Sequence, residues 1–153
     1  MHTVNQILMD ASVDRIFQIA TDVERWPDIL PHYRWVRFLD RRDGGGTVEM
    51  AAWRPFGPLR YPAWWVSEMT VDREGREIRY RHVRGITRGM DVAWRLAPVP
   101  GRAAVAVTIV HAWRGPAWPL VGALAAGLVI GPVFIRGIAS RTLWGIKMFA
   151  EGS

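Results

Sequence analysis

Hydrophobic positions along the chain recur with two different periods, which divide the sequence into strands and helices. Alternation of apolar and polar residues predicts a first strand over residues 3–9. Ser12 then indicates a helix start, because its hydroxyl can accept a hydrogen bond from a free backbone N–H. We predict a helix over residues 13–20 and a second helical segment over residues 22–30, which Pro31 ends.

After Pro31 the alternation with period two returns and predicts six further strands. They cover residues 33–40, 47–54, 60–71, 77–83, 89–97 and 103–113. The turn at residues 43–46 contains three consecutive glycines, which tolerate positive φ angles. We do not interpret it as a phosphate-binding loop, because neither a Lys-Ser/Thr pair nor a helix start follows it.

The last part of the chain, residues 133–151, has the helical period and one apolar face. On a helical wheel that face gathers Ile135, Ile138, Ala139, Thr142, Gly145, Ile146 and Phe149, opposite Arg136, Ser140, Lys147 and Glu151. A twisted antiparallel sheet must cover one face, and this helix has the matching stripe. We therefore predict one α+β domain over residues 1–153, with an antiparallel sheet of about seven strands wrapped around a long C-terminal helix and two short helices closing one end.

Strand alternation also predicts which side chains face this helix. The predicted cavity wall consists of Trp65, Ser67, Met69, Tyr80, Met90 and Trp94 on the sheet, and of Ile138, Thr142 and Phe149 on the helix. Nine tryptophans are many for 153 residues. They fit core packing with a few half-exposed rings, or a cavity that holds a flat hydrophobic ligand.

Three residues are candidates for chemistry inside this sheet. His82 and His111 are the histidines on predicted strands that could serve as general acid or base, and Arg54 at a strand end could bind a ligand oxygen. The alternatives are core histidines with satisfied hydrogen bonds and a solvated arginine. The direction of His111 stays open, because its strand is apolar on both faces.

Composition removes several classes of function. Cysteine is absent, which excludes disulfides and thiolate metal sites, and the four histidines lack HxxH spacing. We predict no metal and no cofactor, although a carboxylate-assisted metal site stays open.

The net charge of +6 comes almost entirely from arginines that alternate with apolar residues, so we interpret them as a solvated outer sheet face and predict no nucleic-acid partner. An acidic partner or a lipid headgroup is the alternative. The segment from Trp118 to Ile135 carries no charge and could form a core segment, a lid or a membrane-surface contact. The N-terminal residues lack a signal-peptide pattern, so we expect a cytoplasmic protein, membrane-associated if that segment contacts lipid.

Residues 13–31, VDRIFQIATDVERWPDILP, resemble the first helices of the polyketide cyclase/dehydrase family of the START-like (Bet v 1-like) superfamily. The motif WWVSE at residues 64–68, the stretch from Gly85 to Trp94 and the closing IKMFAE at residues 146–151 are similar to that family as well. The resemblance covers nearly the whole chain. It implies a helix-grip fold with a cavity between sheet and helix, open near the short helices.

This resemblance implies two classes of function besides the fold. One is the binding of a lipid, a quinone or a polyketide-like compound, and the other is an aromatase/cyclase reaction, for which His111, His82 and Arg54 are the candidates. Family cyclases carry an arginine on the fourth strand where this chain aligns Met69, which favours the binder. A third expectation is a membrane-associated accessory protein of quinone or lipid metabolism that uses Trp118 to Ile135 as its surface.

Overall fold

A seven-stranded antiparallel sheet forms most of the molecule in the computed structural model, which describes residues 1–56, 58–115 and 132–152. The strand order is β1-β7-β6-β5-β4-β3-β2, so every neighbour except the β1–β7 pair is also a neighbour in sequence. The strands are β1 His2–Met9, β2 Tyr33–Arg42, β3 Gly45–Phe56, β4 Leu59–Asp72, β5 Glu77–Gly85, β6 Asp91–Pro98 and β7 Val105–Ala112. This sheet confirms the predicted architecture.

The helices lie where the sequence predicts them. They are α1 Val13–Thr21, a 3₁₀ turn Val23–Arg25, α2 Trp26–Ile29 and α3 Pro132–Glu151. The Ser12 hydroxyl caps α1, because it accepts a hydrogen bond from the Arg15 N–H at 3.2 Å. No helix in the described part of the chain is long and apolar enough to cross a membrane.

Helix α3 is fixed to the start of the chain by polar contacts at its C-terminal end. The Lys147 ammonium donates to the Leu8 carbonyl at 3.0 Å, and the Asp10 N–H donates to the Glu151 carboxylate at 2.7 Å. The Arg15 guanidinium donates to the Ala150 carbonyl at 3.0 Å. These contacts hold the apolar stripe of α3 against the sheet.

Glycine is required where α3 passes the loop after α2. A Cβ atom on Gly145 would lie 2.3 Å from the Leu30 side chain, which is completely buried. This close approach brings α1, α2 and α3 together at one end of the sheet. The inner face of the sheet, α3 and the short helices therefore enclose a common core.

Candidate functional site

A cavity of about 80 Å³ lies between the inner face of the sheet and α3. Its aromatic wall is formed by Trp26, Tyr33, Trp65, Tyr80 and Trp94. Its aliphatic wall is formed by Met50, Met90, Val92, Ile109, Ile138 and Ala139. Four polar residues complete the lining: His82, Thr87, His111 and Thr142. An apolar cavity with a few polar groups is the usual composition of a small-molecule site.

Five rings follow one another along one side of this cavity. The order is Trp94, Trp26, Tyr33, Trp65 and His82, with successive centroids 5.7, 5.2, 6.2 and 5.8 Å apart. Trp26 is fixed in this arc because its indole N–H donates to the Ile19 carbonyl at 3.1 Å. The arc therefore joins the short helices to the sheet and offers flat apolar surface to a ligand.

His82 is a buried, neutral and oriented histidine. Its ring stacks on Trp65 with an interplanar angle of 1°, and its Nδ1 lies 2.7 Å from the Thr87 hydroxyl. Burial lowers the pKa of His82 to about 3, and a charge on nearby His111 would lower it further. At neutral pH the imidazole therefore has one N–H donor and one acceptor nitrogen.

His111 and Tyr80 bring polar atoms to the cavity that have no partner among the described residues. The His111 Nδ1 and the Tyr80 hydroxyl are both buried without a hydrogen bond there. Burial lowers the pKa of His111 to about 4 and raises the pKa of Tyr80 above its usual range, so both side chains are neutral at pH 7. Polar atoms in this position can hydrogen-bond a water or a ligand oxygen that enters the cavity.

On the α3 side, Thr142 is already engaged with its neighbours. Its hydroxyl donates to the Ile138 carbonyl at 2.8 Å and lies 2.9 Å from the His32 Nε2. When the hydroxyl hydrogen is directed at the Ile138 carbonyl, the His32 Nε2–H is the donor to Thr142. Burial, and to a smaller extent the charge of Arg141, lowers the pKa of His32 to about 4.

The model of the family described as polyketide cyclase/dehydrase and lipid transport matches residues 9–133 of this chain. The chain belongs to this family. Two Streptomyces relatives assigned as polyketide cyclases match over 101 residues, or 65% of this chain. The S. cyaneus protein is 32% identical and the match covers 64% of its length, whereas the S. halstedii protein is 31% identical with 90% covered.

Solved structures of the same fold support the helix-grip architecture of this family member. A protein from Thermus thermophilus has a TM-score of 0.78 at 17% identity, with 96% of this chain and 94% of that chain covered. An aromatase/cyclase from a Streptomyces species has a TM-score of 0.75 at 19% identity, covering 99% and 93%. A START superfamily protein from Mycobacterium smegmatis has a TM-score of 0.74 at 14% identity, covering 99% and 97%. At these identities the likeness shows the fold.

Six of the nine predicted wall residues line the cavity of this family member, and three do not. Ser67 is fully buried but does not reach the cavity, and Met69 instead lines a separate groove beside α1. Phe149 is 37% exposed and lines another groove, between α1 and α3. Met69 is buried on the inner face but lies four residues beyond Trp65 along β4, which is about 13 Å. Phe149 lies at the edge of the buried face of α3, whose buried residues include Leu143, Ile146 and Ala150.

Two of the three predicted chemical residues, His82 and His111, come together at the cavity. The third, Arg54, is only 5% exposed, so the expectation of a solvated arginine is wrong. It is not a cavity-lining residue, because it lies four positions beyond Met50 along β3, which is about 13 Å. We therefore do not group Arg54 with the histidines.

Periodicity alone missed several lining residues. Trp26 lies on a helix of four residues and Thr87 in the β5–β6 loop, where neither period applies. Strand alternation does place Tyr33 and Met50 on the inner face, and the helical wheel places Ala139 on the apolar face. The predicted cavity wall did not include these three residues. Within the described chain, no group of three or more His, Asp or Glu side chains is arranged to hold a metal ion.

The predicted surface from Trp118 to Ile135 falls mostly on residues 116–131, which lie outside the described residues.

Proposed function

We propose that this polyketide cyclase/dehydrase family protein binds a hydrophobic small molecule with a carbonyl or hydroxyl oxygen in the cavity between sheet and α3. Lipids, quinones and polyketide-like compounds have this chemistry. The observation that carries the proposal is the pair of buried polar atoms, Tyr80 Oη and His111 Nδ1, in an otherwise apolar aromatic wall. A ligand oxygen that accepts from Tyr80 or donates to His111 would satisfy them.

The size of the cavity limits which ligands enter without rearrangement. At about 80 Å³ it is smaller than the roughly 300–1,000 Å³ of sites for drug-sized ligands. Two of the lining side chains, Met50 and Met90, are unbranched and can adopt other rotamers. We therefore expect two-ring and larger compounds to require movement of the lining, and one-ring compounds to need the least.

A graded series of probes tests this proposal. Phenol, 2-naphthol and 1,8-dihydroxyanthraquinone share a hydroxyl and differ in the number of rings. We expect calorimetric titration to give the lowest Kd for 2-naphthol or the anthraquinone, because each added ring buries more apolar surface. Benzene and naphthalene, which lack the oxygen, should bind about tenfold more weakly than phenol and 2-naphthol.

Substitution of a cavity residue localises the binding. Ala139 is 3% exposed and lines the cavity, so Ala139→Phe should fill it and weaken 2-naphthol binding at least about tenfold. Arg136→Phe is the matched control, because it adds the same ring at an exposed position of α3 and should leave Kd within about twofold. If the two variants bind alike, or if no probe binds the wild type, the proposal is wrong. A thermal melt of both variants verifies the fold, and Ala139→Leu replaces Ala139→Phe if the latter does not fold.

A second candidate is a cyclase-type enzyme, and the convergence of His82 and His111 at the cavity favours it. Its weakness is the low pKa of both imidazoles, about 3 and about 4, because a general base works best when its pKa is near the working pH. Incubation with a synthetic linear poly-β-ketone, followed by ultraviolet absorbance of aromatic product, tests it. If the wild type forms this product and the His111→Gln and His82→Gln variants each do not, the protein is an enzyme and the simple binding function is wrong.

A further inference from the structure

The outer face of the sheet divides into two halves with different chemistry. In the half near the β2–β3 and β4–β5 turns, arginines pair with acids: Arg42 with Asp40 and Glu68, Arg79 and Arg95 with Glu77, and Arg81 with Asp91. We call this the ion-pair half. Its charges cancel locally, as is usual for a solvated sheet face.

The other half, near the β3–β4 turn, carries arginines on tryptophan rings. We call it the Arg–Trp surface, and its residues are Arg34, Trp53, Arg60, Trp64 and Arg84. The guanidinium groups of Arg34 and Arg60 lie 4.7 and 4.4 Å from the Trp53 centroid, and that of Arg84 lies 5.4 Å from the Trp64 centroid. All three arginines are exposed.

These three arginines form no ion pair with any described residue. The nearest acid on this half, Glu49, hydrogen-bonds Arg37 and the Trp64 indole N–H. Burial on its own would raise the pKa of Glu49, but the hydrogen bonds from Arg37 and Trp64 outweigh it, so the pKa lies below the usual value and Glu49 is ionised. The charge of Arg84 also lowers the pKa of Glu49. Arg37 and the three arginines of the Arg–Trp surface therefore face the one carboxylate of Glu49, and a surplus of three positive charges remains on this half.

Apolar side chains lie at the same end of the molecule. Leu59, at the β3–β4 turn next to Arg60, is 70% exposed, and Ile86, after the end of β5, is 44% exposed. Tryptophan, arginine and exposed aliphatic side chains together are typical of surfaces that lie at the headgroup level of a bilayer. Arginine stems remain in apolar surroundings there while the guanidinium contacts phosphate.

We propose that the Arg–Trp surface, with Leu59 and Ile86, binds the surface of an anionic phospholipid membrane. The positive charge that would attract an anionic membrane is confined to the Arg–Trp surface, because the ion-pair half of the same face has no surplus charge. A single-stranded nucleic acid fits less well, because base stacking needs free ring faces and guanidinium groups already lie over Trp53 and Trp64. This proposal is independent of what the cavity holds.

Vesicle co-sedimentation tests it with matched variants. Wild-type protein should bind vesicles of mixed phosphatidylcholine and phosphatidylglycerol, but not vesicles of phosphatidylcholine alone. The triple variant Arg34→Gln/Arg60→Gln/Arg84→Gln should bind the anionic vesicles about 100-fold more weakly, since each arginine near such a surface contributes about fivefold. The control Arg79→Gln/Arg81→Gln/Arg95→Gln removes the same charge from the ion-pair half and should stay within about fivefold of wild type.

A charge-keeping variant separates binding from folding. Arg34→Lys/Arg60→Lys/Arg84→Lys retains all three charges and should stay within about tenfold of wild type. Circular dichroism verifies the fold of each protein. Three results would overturn the proposal. The two glutamine variants could lose equal amounts of binding, or the lysine variant could bind as weakly as the glutamine variant at the same positions. The wild type could also bind both kinds of vesicle equally. Tighter binding of oligo(dT) than of the anionic vesicles at the same salt concentration would overturn the proposal as well, because it would show a nucleic-acid site instead.

Discussion

Two neighbouring tryptophans show how differently the two faces of one sheet use the same residue type. Trp65 points inward, lines the cavity and stacks on the neutral His82. Trp64 points outward, lies under the Arg84 guanidinium and donates its indole N–H to Glu49 at 2.9 Å. Because successive side chains of a strand point to opposite faces, one step along β4 separates the two environments.

The same contrast holds for charge. On the inner face burial lowers the pKa of His82 and His111 and keeps both imidazoles neutral, and Tyr80 is neutral as well. On the outer face the arginines are exposed and charged. This contrast is the basis for proposing an apolar ligand with one or two oxygens at the inner face and an anionic membrane at the outer face. Substitutions on the two faces and changes of pH should therefore affect the protein to different extents.

Substitution of an inner tryptophan should cost much more stability than that of an outer one. Trp94 is 4% exposed and packs on Trp26, so Trp94→Ala should lower the free energy of unfolding by about 4 kcal/mol. Trp64 is half-buried, and Trp64→Ala should cost about 1–2 kcal/mol. Urea unfolding at pH 7 measures both losses. Equal losses would show that the two faces do not differ in packing.

Acid should destabilise the protein through its inner histidines. The pKa of His82 is about 3 and that of His111 about 4 in the folded state, against 6.5 for the unperturbed side chain. The unfolded state therefore takes up protons first as the pH falls, and stability is full above about pH 6.5 and lost towards pH 4. Between these two pH values the free energy of unfolding should fall by about 3 kcal/mol or more.

Variants identify the groups responsible for this pH dependence. His82→Gln/His111→Gln should reduce the slope of stability against pH and leave the part due to His32, whose pKa is also about 4. His2→Gln at an exposed position should leave the slope unchanged. Urea unfolding at a series of pH values gives the slopes. An undiminished slope in the double variant would contradict buried, neutral histidines.

On the outer face, loss of a single ion pair should have a small effect. Glu49→Gln removes the charge that pairs with Arg37, while Gln can still accept from Trp64. We expect a loss of about 1 kcal/mol in urea unfolding, since the side chain of Glu49 is mostly buried but Arg37 is exposed. The wild type and Glu49→Gln should converge as the pH falls through the pKa of Glu49, because its stabilisation depends on the ionised form. If the difference in free energy of unfolding between the wild type and Glu49→Gln persists at low pH, the charge of Glu49 is not its cause.

The fold could be predicted from the sequence, because the strand alternation and the helical period are both directly visible in the order of apolar and polar residues. Trp65, Tyr80, His82, Met90 and Trp94 lie on the inner face as the alternation indicates. Periodicity specifies which face a side chain occupies but not how far along the element the cavity extends. Met69 shows this limit, because it lies on the inner face but too far along β4 to reach the cavity.

Whether an arginine of the sheet is buried or exposed depends on contacts between strands. Arg54 is buried, whereas Arg34, Arg60 and Arg84 are exposed and each lies on a tryptophan ring of the adjacent strand. The β-bulge between Tyr33 and Trp35 sets the position of Arg34 next to Trp53, and no local pattern in the sequence announces it. The Arg–Trp surface therefore emerges only when the register of the sheet is known.

Nitrogen-15 NMR of the histidine imidazoles during titration with 2-naphthol tests the central claim most directly. Long-range proton–nitrogen spectra report the tautomer and hydrogen bonding of each ring. Binding in the cavity should shift the nitrogens of His111 and His82, leave exposed His2 unchanged, and lose these shifts in Ala139→Phe. If 2-naphthol binds while His111 and His82 keep their resonances, the ligand lies elsewhere and the cavity is not the binding site.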